Sequence, residues 1–281
     1  MSLANATKEP LVGIKAELNY LAPTKGRPVT YAYDPPVGTP RTTVVNEPHR
    51  VLIADVRGML AEVSLDKEGF DLVRHKSAVR DFYNEQEVRG IYYPEAEEIL
   101  KSATNADRVF IFDHTVRRRI PGGEYRRAGA PRQPVPRVHV DHTERSGPQR
   151  VRDLLPEVAD ALLGGRVQII NIWRPIRGPL LDAPLAVCDA STVKPEQLIP
   201  TDLVYPNRVG ETYSVTFDSE HRWLYAPRME VEEALLLKCY DSNTDGRARF
   251  APHTAFTDPT TTPDALPRES IEIRALVFHR A

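Results

Sequence analysis

The sequence has only two cysteines, Cys188 and Cys239, among its 281 residues. So few cysteines exclude a disulfide framework, and we expect both thiols to be reduced and buried. The chain begins MSLANATKEP, without the charged segment and apolar stretch of a secretion signal. Its apolar runs are all shorter than the roughly twenty residues that a membrane span requires. These absences predict a cytoplasmic protein with no membrane partner.

The sequence also has little net charge and few glycines. A formal charge of −2 gives no general reason to expect nucleic acid or an anionic membrane surface as a partner. Glycine occurs 15 times and proline 25 times, which indicates stiff connections between short elements. With 41% hydrophobic and 27% charged residues, the chain has an ordinary globular composition. It is long enough to bury a substantial core in one large domain or two ordinary ones.

The order of the predicted elements favours a β-rich core. Residues 1–50 are rich in proline and turn formers, and they predict an extended amino-terminal arm. Residues 51–281 then form a single domain with helical insertions. The segments HRVLIADVRG and DRVFIFDHTVR predict strands, and seven more strand-like segments follow Val167. Because these strands do not alternate with crossover helices, we predict a mainly β fold with flanking helices, an antiparallel barrel or jelly roll.

Two regions carry helical patterns. Phe70 to Thr104 is predicted to be helical, with Pro94 in the first turn of PEAEEILKSA. The second region, SGPQRVRDLLPEVADALLGG, begins at Ser146 as a potential cap. Pro156 is expected to split it into two short helices.

The stretch VHVDHT is the first candidate metal site. His139 and Asp141 are two residues apart, so on an extended strand both side chains point to the same side. His142 has an odd offset and points to the other face, where we expect a loop or surface position. The pattern H-x-D alone is common by chance, so other residues must support it.

A second polar pattern lies near the end of the chain, after His253 in APHTAF. In the segment PRESIEIR, Arg268, Ser270, Glu272 and Arg274 share one face, and the opposite face is apolar. A barrel interior lined by these side chains requires an anion, because buried charges need partners. The alternative is an edge strand with one solvated face.

Two histidines and one carboxylate on one side of a metal leave three positions open, as in non-haem Fe(II) oxygenases. A structural zinc site would be closed. A 2-oxo acid can chelate two of the open positions, while an arginine deeper in the barrel binds its far carboxylate. The third position then remains for dioxygen.

The order H-x-D, distant H and R-x-S resembles the Fe(II)/2-oxoglutarate-dependent dioxygenases, whose fold is the double-stranded β-helix. The longer spacing R-x-S-x-E-x-R also resembles the alkylated-base demethylases. The most extensive resemblance is to the fungal hydroxylase/desaturase family, which includes gibberellin desaturase-like enzymes and a subunit of the 7α-cephem methoxylase. It runs from about Val51 to Phe278, through segments such as YYPEAEEIL, ADRVFIFDHTVRR, QIINIWRPIRGPLLDAPLAVCDAST and PRESIEIRAL.

This resemblance implies Fe(II), 2-oxoglutarate and O2 as metal, co-substrate and oxidant. It implies His139, Asp141 and His253 as iron ligands and Arg268 as the leading residue for 2-oxoglutarate. The lesser candidates are Ser270, Arg274, Asn171 and Tyr225 for the co-substrate, and Trp173 for the substrate. Alternatively, the buried aromatic residues Trp173 and Tyr225 belong to the hydrophobic core and have no role in the site.

The implied function is hydroxylation, desaturation or oxidative cyclisation of a small-molecule specialised metabolite. The basic loop from Val116 to Arg137, with Arg126 and Arg127, suggests a carboxylate-bearing substrate, although charge runs are commonly solvated surface. A catalytically silent accessory subunit is one alternative. A nucleic-acid demethylase is another, which the near-neutral charge disfavours. A homo-oligomer is compatible with the sequence.

Overall fold

The computed structural model describes residues 12–123 and 131–280 of the chain. The strands in these ranges are β1 Gly13–Leu21, β2 Val29–Tyr31, β3 Asn46–Asp55, β4 Phe70–Arg74, β5 Arg108–Arg118, β6 His139–Val140, β7 Val167–Pro175, β8 Leu185–Cys188, β9 Leu198–Val204, β10 Val209–Val215, β11 Trp223–Tyr225, β12 Glu233–Asp241, β13 His253–Ala255 and β14 Glu269–Phe278. The helices are α1 Glu85–Glu87, a π-helical turn Val88–Tyr92, α2 Tyr93–Thr104, α3 Ser146–Leu154 and α4 Ala159–Leu163. Short 3₁₀ turns occupy Val56–Met59, Pro156–Val158, Ala190–Thr192 and Pro195–Gln197.

The strands form two sheets that face each other as a jelly roll, which confirms the predicted fold class. One sheet has nine strands in the order β1-β3-β11-β8-β13-β6-β10-β9-β2, and the other has five in the order β4-β12-β7-β14-β5. Two of the described pairings, β3 with β11 and β2 with β9, are parallel, and the others are antiparallel. β14 lies between β7 and β5. The alternative of a solvated edge strand at RESIEIR is therefore wrong.

Strand β7 shows how the interior between the sheets is layered. Trp173 belongs to one apolar cluster that spans both sheets, and Ile169 belongs to another. Asn171 lies between them on the same face of the strand, because side chains alternate along β7. Ile170 and Ile172 point to the outer face, where they pack in the cluster that includes residues of α2. The barrel interior thus contains a polar layer between two apolar layers.

The first described strand, β1, is part of the larger sheet. It pairs along its whole length with β3. Leu18 and Tyr20 are buried in an apolar cluster with Trp223 of β11. Strand β3 runs across the predicted boundary between residues 50 and 51, and the division of the chain into an arm and a domain stays a prediction.

The helix predicted from Phe70 to Thr104 needs correction at its start. Phe70 to Arg74 is a strand and not a helix, because it pairs with β12 at the edge of the smaller sheet and alternates Phe70 and Leu72 inward with Val73 outward. The helical prediction is confirmed from Glu85 to Thr104, with Pro94 in the first turn of α2.

No helix in the described ranges is long and apolar enough to cross a membrane.

The start of α3 differs from the prediction, because Thr143 is its cap. Thr143 Oγ1 accepts hydrogen bonds from the backbone N–H groups of Arg145 and Ser146, at 3.2 and 3.0 Å. Ser146 Oγ in turn accepts from the N–H of Thr143 at 2.9 Å, as in a capping box. Pro156 separates α3 from α4 as predicted. This cap fixes the turn that follows Asp141.

Candidate active site

Three candidate metal ligands meet on adjacent strands of the larger sheet. His139 of β6 pairs directly with His253 of β13, so both side chains lie on the same face. Asp141 follows two residues after His139, and its Oδ1 lies 3.5 Å from His139 Nε2. One ligand atom from each of the three residues lies within 4.8 Å of the other two. This set of two histidines and one carboxylate matches the facial arrangement of non-haem iron sites.

The two histidines are oriented by backbone carbonyls. His139 Nδ1 donates a hydrogen bond to the carbonyl of Arg137 at 2.9 Å, and His253 Nδ1 donates to the carbonyl of Ala251 at 3.0 Å. Burial lowers the pKa of His253, and the neighbouring His139 lowers it further. Because each Nδ1 carries the proton, each Nε2 has a free lone pair for a metal.

Asp141 is held through only one of its two oxygens. Its Oδ2 accepts hydrogen bonds from Asn171 Nδ2 at 2.8 Å and from Arg274 Nε at 3.3 Å. Burial by itself would raise the pKa of Asp141, but the neighbouring His139 and the charge of Arg274 hold it well below its usual range. The carboxylate is therefore ionised, and Oδ1 is the oxygen that remains for a metal.

A polar network surrounds this carboxylate on the smaller sheet. Arg274 donates to Asp113 at 3.0 Å and to Glu272 at 3.1 Å in addition to Asp141. Asn171 uses its second amide hydrogen on Glu272 at 2.7 Å. Arg274 and Asn171 thus bind protein carboxylates, and the structure places them beside Asp141, away from Arg268.

Arg268 is a buried cation at the end of a small cavity. Its side chain is 2% exposed, and the guanidinium donates to Ser270 Oγ at 3.0 Å and to the carbonyl of Ala183 at 2.9 Å. Within the described ranges, no carboxylate lies within the 4.0 Å limit of an ion pair with it. Burial, with a contribution from Arg117, lowers the pKa of Arg268 to about 9. A buried cation without an anionic partner is costly unless a ligand supplies the anion.

The small cavity joins Arg268 to the candidate metal ligands. His139, His253, Trp173 and Arg268 all border it. The guanidinium of Arg268 lies 4.7 Å from the centre of the Trp173 ring, and Trp173 Nε1 is buried without a hydrogen-bond partner. The cavity therefore offers a cation and an unused N–H donor opposite two histidine ligands.

A larger cavity of about 560 Å³ opens on the other side of His139 and Asp141. Eight of the residues that border it are arginines and five are aspartate or glutamate. This volume is in the range of cavities that bind small molecules. The larger cavity is thus the candidate substrate site.

Other predicted site residues lie elsewhere. Tyr225 packs against Phe256, with ring centres 5.5 Å apart, and borders neither cavity. His142 is buried, not at the surface as predicted, and it borders the larger cavity together with His139 and Asp141; its burial lowers its pKa to about 4. Arg126 and Arg127 lie outside the described residues.

Sequence reasoning missed Asp113, Thr115 and Arg117 on β5. They alternate along the strand and pair with Arg274, Glu272 and Ser270 of β14, respectively. The signal was present in the sequence, because the polar spacing D-x-T-x-R of one strand complements the S-x-E-x-R of the other. Arg117 borders both cavities and thus links the co-substrate and substrate sides.

Known proteins resemble this chain over most of its length. A family model described as an oxidoreductase/YMDC permease-like domain matches residues 18–278. The chain is 36% identical over 262 residues to the hydroxylase/desaturase efuI of Hormonema carpetanum, covering 86% of this chain and 87% of that protein. It is 33% identical to the alpha-ketoglutarate-dependent dioxygenase phiK of Fungal sp., covering 94% and 95%.

Among solved structures, the iron and alpha-ketoglutarate-dependent endoperoxidase NvfI superposes with a TM-score of 0.84 at 29% identity, covering 95% of this chain and 98% of that one. The similarity thus extends over nearly the whole chain in both sequence and fold. The protein belongs to the fungal hydroxylase/desaturase family of Fe(II)/2-oxoglutarate-dependent dioxygenases.

Proposed function

We propose that this enzyme holds Fe(II) with His139, Asp141 and His253, and 2-oxoglutarate with Arg268, to oxidise a small-molecule specialised metabolite with O2. The observation that carries the proposal is the arrangement of the three ligand atoms, within 4.8 Å of one another, beside a cavity that also reaches the buried Arg268. The relatives named hydroxylase/desaturase and dioxygenase support the same class of reaction.

When bound, Fe(II) and 2-oxoglutarate supply the oxidising chemistry: O2 is consumed, 2-oxoglutarate becomes succinate and CO2, and the substrate is hydroxylated, desaturated or oxidatively cyclised. The residues of the chain hold and orient the reactants. The carbonyls of Arg137 and Ala251 keep both histidine Nε2 atoms unprotonated. Trp173, Leu185 and Leu237 border the small cavity and form the apolar part of its wall.

The co-substrate residues divide into two groups. Arg268 is assigned to the far carboxylate of 2-oxoglutarate, with Ser270 orienting its guanidinium and Trp173 Nε1 as a further donor. Arg274 and Asn171 are assigned a positioning role, because both donate to Asp141 Oδ2. Tyr225 is assigned to the core, since it packs on Phe256.

The excess of arginines around the larger cavity supports a carboxylate-bearing substrate. Arg126 and Arg127 lie outside the described residues; in the sequence they fall between Arg117 and Arg132, which border that cavity. A homo-oligomeric state and a cytoplasmic location stay predictions from the sequence.

The metal assignment is tested by anaerobic reconstitution with Fe(II) and 2-oxoglutarate. We expect the wild type to show a visible metal-to-ligand charge-transfer band and to release succinate once oxygen is added. His139→Ala should lose both, because it removes one of the three ligands. His142→Ala is the matched control: it removes the neighbouring buried histidine, which is not one of the three grouped ligands, and should keep the band.

A wild type without the band, or a His139→Ala variant that keeps it, would show that the metal assignment is wrong. The alternative of a silent accessory subunit predicts no iron above background in protein purified without added metal. The alternative of a nucleic-acid demethylase predicts binding with a steep salt dependence. The burial of Arg268 and the carboxylate pairs of Arg274 count against these arginines as contacts for a nucleic acid.

A further inference from the structure

Two arginines of the larger cavity have no protein partner for their charge. Arg150 lies on α3, and Arg208 lies in the turn between β9 and β10; both border the cavity with His139 and Asp141. In the part of the chain that the structure describes, neither guanidinium makes a hydrogen bond or lies within 4.0 Å of a carboxylate. Each guanidinium carries five N–H donors. Arg150 is half-buried and Arg208 is exposed at the rim, so both guanidinium groups keep donors available to a ligand.

The acidic groups of the same cavity do not compensate for these two charges, because four of the five bind other arginines. Arg27 binds Asp202 and Glu211, and Arg274 binds Asp113 and Asp141. The fifth, Asp153, is exposed and accepts a hydrogen bond from Gln149 at 2.7 Å. A local excess of positive charge thus remains at Arg150 and Arg208.

Both side chains are held in place by aromatic rings. The guanidinium of Arg150 lies 5.5 Å from the centre of the Phe112 ring, and that of Arg208 lies 4.0 Å from the centre of the Tyr205 ring. Phe112 and Tyr205 also border the cavity. A guanidinium stacked on a ring keeps its N–H edge available for a planar anion.

The two cations also affect each other. Burial lowers the pKa of Arg150, and the charge of Arg208 lowers it further. Arginine nevertheless stays protonated in proteins, so two like charges that repel each other border the same cavity. An anion between them removes this repulsion and accepts the unused hydrogen bonds.

We propose that Arg150 and Arg208 form an anion subsite in the larger cavity, which binds a carboxylate of the substrate and directs the rest of the molecule toward His139 and Asp141. This inference rests on the proposed function, because it takes the larger cavity to be the substrate site. It adds a recognition element to that function: the enzyme distinguishes an acid from the corresponding uncharged amide or ester.

The test uses 1-naphthoate and 1-naphthamide as probes, which differ in charge but have similar size. Binding is measured by calorimetry on the full chain, kept anaerobic with Fe(II) and saturating 2-oxoglutarate so that Arg268 is not available to the probe. We expect the wild type to bind naphthoate at least about tenfold more tightly than naphthamide, as for a charge-assisted pair. Arg150→Met and Arg208→Met should each remove most of this preference and leave the affinity for naphthamide unchanged.

Arg152→Met is the matched control, because Arg152 lies on the same helix as Arg150 but does not border the cavity. It should keep the preference. Arg150→Lys should restore part of it, which separates loss of charge from loss of packing on Phe112. Thermal melting of each variant verifies that it is folded.

Equal affinities of the wild type for the two probes would overturn the proposal, as would an Arg150→Met variant that keeps the preference. The charge-transfer band, recorded on the same samples, reports on the metal centre separately. A wild type that shows the band but no preference for naphthoate rejects the anion subsite alone. A wild type that prefers naphthoate but shows no band rejects the proposed metal chemistry alone.

Discussion

Asn171 is the residue through which the smaller sheet acts on the candidate metal site. Its two amide hydrogens bind Asp141 at 2.8 Å and Glu272 at 2.7 Å. The sequence NIWRP identified it as a pocket residue, but it did not reveal these partners, which are 30 and 101 residues away along the chain. One buried amide of β7 thus influences which oxygen of Asp141 remains for a metal.

We predict that Asn171→Leu weakens binding of Mn(II), used as an air-stable substitute for Fe(II), by about 10–100-fold. The substitution removes a donor from Asp141 Oδ2, so the carboxylate no longer has a fixed orientation. Calorimetry measures the metal affinity directly and does not depend on turnover.

Gln168→Leu provides the control for the loss of a buried amide. Gln168 lies on the same strand and is buried, but its Nε2 hydrogen-bonds with His279 at 2.7 Å, away from the three ligands. Both variants are expected to lose stability, and only Asn171→Leu should lose metal affinity. Equal metal affinity in the two variants would contradict the positioning role of Asn171.

At the scale of elements, a chain of buried hydrogen bonds attaches β1 to the rest of the larger sheet. Trp223 Nε1 donates to Tyr20 Oη at 2.6 Å, and Tyr20 Oη donates to His221 Nδ1 at 3.2 Å. His221 Nε2 then donates to Gln197 Oε1 at 2.8 Å. Only a neutral His221 fits this chain, because its Nδ1 must accept. Burial accordingly lowers the pKa of His221.

We predict that the free energy of unfolding falls as the pH drops below about 6.5, the ordinary pKa of histidine. Because the pKa of His221 is lower in the folded protein, the unfolded chain takes up the proton first, and acid therefore favours unfolding. This contribution is fully present above the unfolded pKa. Urea titrations between pH 5 and pH 8 measure it.

His221→Gln serves as the comparison, since glutamine keeps a polar side chain but does not titrate. It should be less stable than the wild type at pH 8 and show a shallower loss of stability toward pH 5. Parallel pH profiles for the two proteins would show that His221 does not contribute.

The sequence predicted an element well when the alternation of its own residues was sufficient to define it, and poorly when the element depends on pairing with a distant strand. The alternation in RESIEIR predicted one polar and one apolar face, and Ile271, Ile273 and Ala275 are indeed buried on the outer side with residues of α2. The segment FDLVR was misassigned because its five residues are too few to distinguish a strand from a helix without their partner, β12. Tertiary pairing decided that case.

At the scale of the whole molecule, Arg268 is a buried cation that has no carboxylate partner among the described residues. We predict that Arg268→Met leaves the ligand-free protein at least as stable as the wild type, because it removes a buried charge without a carboxylate partner. We also predict that 2-oxoglutarate with Mn(II) raises the melting temperature of the wild type but not of this variant. For the wild type, saturation at 100 times Kd corresponds to about 2.7 kcal/mol.

Arg166→Met provides a contrast, because Arg166 binds Asp241 at 2.6 Å and Asp66 at 2.6 Å. Its loss leaves the buried Asp241 with less compensation, so the protein should become less stable. It should still respond to 2-oxoglutarate. Differential scanning fluorimetry measures both variants, and an Arg268→Met variant that responds like the wild type would exclude Arg268 as the anchor.

The candidate site could be predicted in part because its local spacings carry information. His139 with Asp141, and Arg268 with Ser270, are two residues apart on one face, which the sequence shows directly. The substrate cavity could not be predicted in this way, because it combines α3, the β9–β10 turn and β6. Arg150 was therefore read only as part of a helix.

The position of β14 in the smaller sheet has a consequence for biosynthesis. This strand follows all the others in the chain, yet it lies between β7 and β5. On the ribosome, β5 and β7 emerge before β14 and cannot pair with it until it has been synthesised. These pairings join residues that are distant in sequence, so they form slowly. A partly synthesised chain therefore lacks Arg268 and Arg274, one of the two residues that orient Asp141, and the proposed iron and 2-oxoglutarate site is complete only after translation has passed this strand.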